Sequence, residues 1–353
     1  MNDKPASSRC WQQALATSLC ILFVLFITGG VSASLGSSQG LPSTIQANPL
    51  IEEMIDQVTT ETLYQYAGDL TGEWPTTIGG APYTITNRHT DRGVPIQMAT
   101  QYVYEHFSSF GLEASYHEWK NSTNPNVIGT IHGLSRPSDI VLLTAHLDNM
   151  PNAEIAPGAD DNASGTAAVM AAAAILSQYQ WDCTLRFVAF TGEEQGLHGS
   201  FAYASLSRQM GEQIMGVLNL DMIGYNSQAK PEPVMDLHAR STITESYTIA
   251  EIFTQVVVTY GINLTPNIKA NDFLGNYSDN KSFWDFDYPA VLAIEDRNDT
   301  TSNYHSVNDR LSTLNMEYFA DITRAAVGTM AHMGCLRLEA PLYLLYFPYF
   351  VKN

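Results

Sequence analysis

Residues 139–148 read Asp139-Ile-Val-Leu-Leu-Thr-Ala-His146-Leu-Asp148. From Ile140 to Ala145 the run is apolar except for one threonine, the pattern of a strand buried on both faces. Such a strand belongs to a mainly parallel sheet covered by helices on each side. The flanking sequence fits that reading. Downstream, Ser164–Tyr179 is alanine-rich and helical, and Leu185–Phe190 (LRFVAF) is a second buried strand. Gly216–Leu220 and Pro289–Ile294 supply two more strands, and a last helix covers Met316–Met333. Upstream, Leu50, Ile51, Met54, Ile55, Val58 and Leu63 fall near a 3.6-residue period. A further helix is expected over Ile96–Phe110, stopped by Gly111, and a strand over Asn126–His132. The expected fold is α/β: a single three-layer domain over residues 48–335, with a mainly parallel central sheet flanked by helices. In such sheets chemistry gathers where the strands end.

The chain has 353 residues, 17 basic and 36 acidic, for a formal charge of −19. With 45% apolar residues it can bury a large core, which excludes a disordered chain. The acid excess argues against nucleic acid or an anionic membrane surface as the main partner. It suits cations, either metals or substrates with a free amine. Residues 1–33 read as an export signal: Lys4 and Arg9, then the apolar Leu19–Ile27, then Val31-Ser32-Ala33. An uncleaved anchor competes, because Ala14–Ala33 carries no charge. The body is therefore expected outside the cytoplasm, secreted or periplasmic, or membrane-anchored by its N-terminal segment. Residues 34–47 read as a linker. Residues 336–353 form an apolar aromatic tail that either packs on the body or makes an oligomer or membrane contact. Cys183 and Cys335, the two cysteines outside the presequence, either pair or stay as buried thiols.

Five short segments carry the candidate chemistry, each expected at or after a strand end. They are His146-Leu-Asp148, Gly158-Ala-Asp-Asp161-Asn-Ala-Ser-Gly165, Gly192-Glu193-Glu194-Gln-Gly-Leu197, Asn219-Leu-Asp221-Met and Tyr304-His305-Ser-Val-Asn-Asp309. Taken singly each has a commonplace explanation. Paired Asp before Asn-Ala-Ser-Gly caps helices, adjacent Glu residues are usually solvated, and a lone His-x-Asp is usually a satisfied polar pair. Taken together, five such segments at the ends of parallel strands, in a chain with only 15% charged residues, point to one site. Imidazole with carboxylate is a ligand set that suits zinc. His89, His106, His117, His132, His198, His238 and His332 lack this context and read as structural or surface residues.

The segments closely resemble the co-catalytic di-zinc aminopeptidases, relatives of glutamate carboxypeptidase. The two long motifs carry the likeness: Gly158–Gly165 and Glu193-Glu-Gln-Gly-Leu-His-Gly-Ser200. The resemblance implies a zinc-exopeptidase fold of phosphorylase/hydrolase-like type and two zinc ions per chain. It implies His146 and Asp221 on one ion, His305 and Glu194 on the other, and Asp161 bridging them. Asp148 would orient His146, and Glu193 would be the general base. The partner would be a peptide with a free N-terminus. Adjacent Glu193 and Glu194 cannot point the same way in extended chain, so one can reach metal while the other faces the nucleophile. Two features depart from the pattern. Tyr277 is displaced by about two positions from where some relatives carry an oxyanion donor, so it reads as packing first and as an oxyanion donor second, and Asn280 stands where His is frequent. Rival readings are a carboxypeptidase or dipeptidase of the same fold, for which Arg297, Arg310 and Lys281 are the candidate carboxylate anchors, and a non-catalytic binding module.

Overall fold

Asn48 starts the first helix by a cap: its side chain accepts the backbone N–H of Leu50 at 3.0 Å, and Pro49 brings a preset φ. The computed structural model describes residues 40–119, 124–227 and 232–337. The presequence, most of the C-terminal tail and the short segments 120–123 and 228–231 lie outside the described residues. In chain order come α1 (Pro49–Asp56), α2 (Thr60–Thr71), the small hairpin β1 (Thr76–Ile78) and β2 (Ala81–Tyr83), α3 (Val94–Ser109), β3 (Glu113–His117), β4 (Asn126–Ile131) and β5 (Arg136–His146). Then follow α4 (Gly165–Leu176), β6 (Cys183–Phe190), α5 (His198–Met210), β7 (Gln213–Leu220), β8 (Val234–Ala239) and α6 (Thr244–Thr259). The chain continues with β9 (Thr265–Ala270), α7 (Asn280–Trp284), β10 (Ala290–Glu295) and α8 (Met316–Met333). Residues 40–47, expected as linker, reach the body: Ile45 is buried and its N–H donates to Gln255 Oε1 of α6 at 3.1 Å.

Eight strands form one sheet in the order β3-β4-β6-β5-β7-β10-β8-β9. The central four, β6-β5-β7-β10, are mutually parallel, so their C-terminal ends share one edge. Outside them β4 pairs antiparallel with β6, and β8 antiparallel with β10. The sheet is therefore mixed but mostly parallel, and β3, β8 and β9 are strands that the apolar pattern did not indicate. Strand β9 (TPNIKA) carries Pro266, which an edge strand tolerates because one side needs no ladder donor.

Alternation along β5 explains its nearly unbroken apolar run. Val141, Leu143 and Ala145 pack with the helix face that includes Ala168, Val256 and Phe319, from α4, α6 and α8. Ile140 and Leu142 point the other way, with Val188, Val217, Phe283 and Trp284. These are the two faces of a three-layer sandwich. Helix α4 is buried at eleven of its twelve positions, which is why it is apolar all round rather than amphipathic. Its first residue must be small: a Cβ on Gly165 would lie 2.7 Å from the Leu220 carbonyl of β7.

Cys183 and Cys335 form a disulfide that ties the start of β6 to the chain just past α8, across 152 residues. Closing so long a loop restricts the unfolded chain more than the folded one. A Cys183→Ser/Cys335→Ser double variant is expected to lose about 2–5 kcal/mol of stability. Urea unfolding of the two proteins measures this; a loss under about 1 kcal/mol would mean the bridge constrains little.

Candidate metal centre

Three of the five segments arrive at the shared edge of the parallel strands. His146 ends β5, Glu193 and Glu194 lie in the turn after β6, and Asp221 follows β7 directly. Asp161 sits in irregular backbone between Gly158 and α4, and its peptide to Asn162 is cis. His305 differs from expectation. It stands on a long loop ten residues beyond Glu295, the last residue of β10, with a left-handed φ of 53°.

The five side chains converge into two groups that share Asp161. In the first, His146 Nε2 lies 3.3 Å from Asp161 Oδ1 and 3.1 Å from Asp221 Oδ1. In the second, His305 Nε2 lies 3.3 Å from Asp161 Oδ2 and 3.1 Å from Glu194 Oε2. Each group offers three ligand atoms within 4.8 Å of one another. The two oxygens of Asp161 thus face different imidazoles, the geometry of a bridge. Glu193 lines the same cavity but makes no ion pair among the described residues.

The protonation chemistry shows that a cation fits here. His146 Nδ1 lies 3.1 Å from the Asp148 carbonyl, a bond that places the proton on Nδ1 and turns the Nε2 lone pair toward two carboxylates. Lone pairs facing each other at 3.1–3.3 Å require a proton or a metal between them. Burial opposes the charged form of both imidazoles, but the acids outweigh it: His146 is raised well above its usual range and His305 to about 10. Burial and the charge of Asp161 push Glu194 up to about 7, and its buried Oε1 has no hydrogen-bond partner. Burial likewise raises Glu193, helped by Asp221 and Asp279. Three carboxylates and two imidazoles, with an orphan carboxylate oxygen, match the donor set of two hard-to-borderline divalent ions.

The supporting groups explain why these positions hold. The Asp148 carboxylate is 3.8 Å from His146 Nδ1, so the carbonyl, not the carboxylate, is the nearer partner of the ring. The carboxylate accepts instead from the backbone N–H of Glu193 at 3.2 Å, of Glu194 at 3.3 Å, and from Thr90 Oγ1 at 3.2 Å. It pins the Glu193–Glu194 turn to the end of β5. That turn needs Gly192, whose φ is 76° and where a Cβ would meet the Trp119 ring at 2.6 Å. Asp309 does the same for the bridge, accepting from the backbone N–H of Asp160 at 2.9 Å and of Asp161 at 3.0 Å. Arg88 is fully buried and donates to the carbonyls of Leu70, Leu147, Pro157 and Gly158. It clasps the end of β5 to the loop that bears Asp161. Burial lowers its pKa only to about 10, so it stays charged at neutral pH.

Sequence reasoning did not pick out Arg88, Tyr304 or His238. Arg88 gave no signal, since its partners are carbonyls up to 70 residues away. Tyr304 stacks on His305 with ring centroids 3.6 Å apart and is close enough to Asp161, Asp221, Glu194 and Glu193 for their charges to act on its hydroxyl. Its place beside His305 was the available clue. His238 was set aside as structural, yet it lines the cavity. Tyr277 also lines it, 61% exposed and edge-on to Phe273, whereas Asn280 is buried and donates to the Gly275 carbonyl. The cavity, about 690 Å³, runs from the metal groups to apolar walls that include Met222, Leu274, Leu292 and Ile294.

Comparison with known proteins gives the same picture. The sequence model of peptidase family M28 matches residues 126–330. A probable aminopeptidase of Saccharomyces cerevisiae is 28% identical over 62% of this chain, and the match spans 58% of that protein. The aminopeptidase LapA of Legionella pneumophila superposes with a TM-score of 0.70 over 86% of this chain and 76% of its own, at 18% identity. BSAP, a zinc aminopeptidase from Bacillus subtilis, superposes with a TM-score of 0.54 at 25% identity, over 63% of this chain and 52% of its own.

Proposed function

The chain belongs to peptidase family M28, and from that premise we propose that it is a metallo-aminopeptidase that removes N-terminal residues from peptides, using two zinc ions and Glu193 as general base. The observation that carries this reading is the Asp161 carboxylate, with one oxygen toward His146 and the other toward His305. A site for a single ion does not require a carboxylate shared by two ligand groups.

His146 and Asp221 would hold one ion, His305 and Glu194 the other, with Asp161 common to both. Divalent ions in that position supply Lewis acidity, polarising a carbonyl and lowering the pKa of water from 15.7 to about 7. The remaining work falls to the chain. Glu193, in the cavity wall and free of imidazole contacts, takes a proton from the attacking water and returns it to the leaving amine. Asp148 keeps Glu193 in place through its backbone N–H. The Tyr304 hydroxyl, held by ring stacking on His305, donates to the oxygen on which negative charge develops. The acidic cavity suits the ammonium group of a free N-terminus, and a blocked terminus forfeits that attraction.

A panel of amino-acid amides and their N-acetylated counterparts tests the reading. The free amides are expected to be hydrolysed and the blocked ones not, with activity lost on chelation and restored by zinc. Cleavage of blocked substrates at equal rates, or activity indifferent to chelator, would overturn it.

A further inference from the structure

The wall of the cavity holds one cation that this reaction does not use. Five carboxylates line the cavity: Asp161, Glu193, Glu194, Asp221 and Glu295. Among the described lining residues Arg297 is the only Lys or Arg. Among the described arginines, Arg136, Arg186, Arg208, Arg324 and Arg337 each lie within 4 Å of a carboxylate. Arg297 is flanked by Asp296 and Asp299, yet among the described residues its guanidinium has neither an ion pair nor a hydrogen bond. Both neighbours are engaged elsewhere. Asp296 accepts from the Asn298 backbone N–H at 3.0 Å, and Asp299 accepts from the backbone N–H and hydroxyl of Ser227 at 2.7 and 2.6 Å.

A second unpartnered group lies on the same wall. His238 of β8 stands opposite Leu292 of β10 in the sheet register, and both line the cavity. His238 is 2% exposed, its Nδ1 has no hydrogen-bond partner, and it is near enough to Arg297 for their charges to interact. Burial holds it neutral, so it can offer a hydrogen bond without adding charge. A guanidinium and a neutral imidazole without partners, beside an apolar wall, form a donor pair for a carboxylate.

We propose that Arg297, assisted by His238, is a specificity subsite that recognises a carboxylate on the substrate. The inference rests on the aminopeptidase reading and names the substrate class: peptides whose first side chain is acidic, or dipeptides whose C-terminal carboxylate reaches the same guanidinium. The subsite acts on binding and takes no part in the bond-breaking steps.

The zinc-loaded full chain and its Arg297→Met variant, which keeps the apolar stem and removes the charge, are compared on glutamate amide, leucine amide, Leu-Gly and Leu-Gly amide. If the carboxylate comes from the side chain, Arg297→Met lowers the kcat/KM ratio of glutamate amide to leucine amide by roughly 10- to 100-fold, mainly through KM. If it comes from the C-terminus, the ratio of Leu-Gly to Leu-Gly amide falls by that factor instead. Arg297→Lys is expected to recover part of the loss. Ratios unchanged in the variant, with leucine amide still cleaved, overturn the subsite alone. A wild-type protein that cleaves none of the four substrates removes the aminopeptidase reading and the subsite with it.

Discussion

Glu193→Gln is expected to lower kcat by two to four orders of magnitude while the protein still carries about two metal ions per chain. The range is that of a positioned general base, and corresponds to roughly 3–5 kcal/mol of transition-state stabilisation. Gln has nearly the shape of Glu, so the cavity wall and the turn after β6 are preserved. The backbone N–H of residue 193 still reaches Asp148, because that bond does not involve the side chain. What is lost is the capacity to accept a proton. The contrast with Glu194 sharpens the test: Glu194 Oε2 is 3.1 Å from His305, whereas Glu193 has no such contact among the described residues. Glu194→Gln should therefore lose metal as well as turnover. Elemental analysis beside steady-state kinetics separates the two. If Glu193→Gln sheds metal, or keeps more than about a tenth of its activity, the base has been misassigned.

How much of this site could be read before the fold was known follows from how each residue gets its meaning. His146, Glu193, Glu194 and Asp221 stand out as candidates because a buried parallel strand announces itself by its apolar run and chemistry at its end is then conspicuous; their separate roles come only from the resemblance of the motifs. The two-sided burial of β5 is the clearest case: residues 140–143 alternate between two helix layers and must all be apolar. Asp148 was legible as a supporting residue but not in its actual bonds, since the ring of His146 takes the backbone carbonyl and the carboxylate serves the next strand's turn. Arg88 and Asp309 were not legible as clasps, because hydrogen bonds to backbone groups leave no side-chain pattern in sequence. Strands β8 and β9 escaped for a related reason. Asp236, His238, Asn267 and Lys269 lie on them, and the Asn267 amide donates to Asp236 across the pair at 3.0 Å. With a polar residue at every second position, neither strand shows the unbroken apolar run that marks a strand buried on both faces. That polar wall is also where His238 opens onto the cavity. The likeness to M28 structures concerns the framework at the strand ends and does not determine the chemistry of this wall.

The second large effect concerns Asp161, the one side chain that would answer for both ions of the proposed pair. In two-metal sites generally the ions lie about 3.5–4 Å apart, and two double charges at that range repel by roughly 18 kcal/mol at an effective dielectric of 20. A shared carboxylate offsets that repulsion better than any group bound to one ion alone, since it attracts both at contact range. Asp161 is held for this role by two means. Its backbone N–H donates to Asp309, and its carboxylate stays ionised: burial opposes the charge, but contacts with His146 and His305 depress its pKa below the ordinary carboxylate range. Asp161→Ala is therefore expected to reduce bound metal from about two ions to one or fewer, with activity down at least a thousandfold. Asp161→Asn keeps the volume and one oxygen but removes the charge, and should lose metal nearly as completely. Loss in both variants identifies charge, rather than a cavity left by truncation, as the cause. Elemental analysis after gel filtration reads the metal, and thermal unfolding checks that each variant is folded. Retention of two ions by either folded variant would dismantle the bridge, and with it the distinction between His146 and His305 as ligands of separate ions.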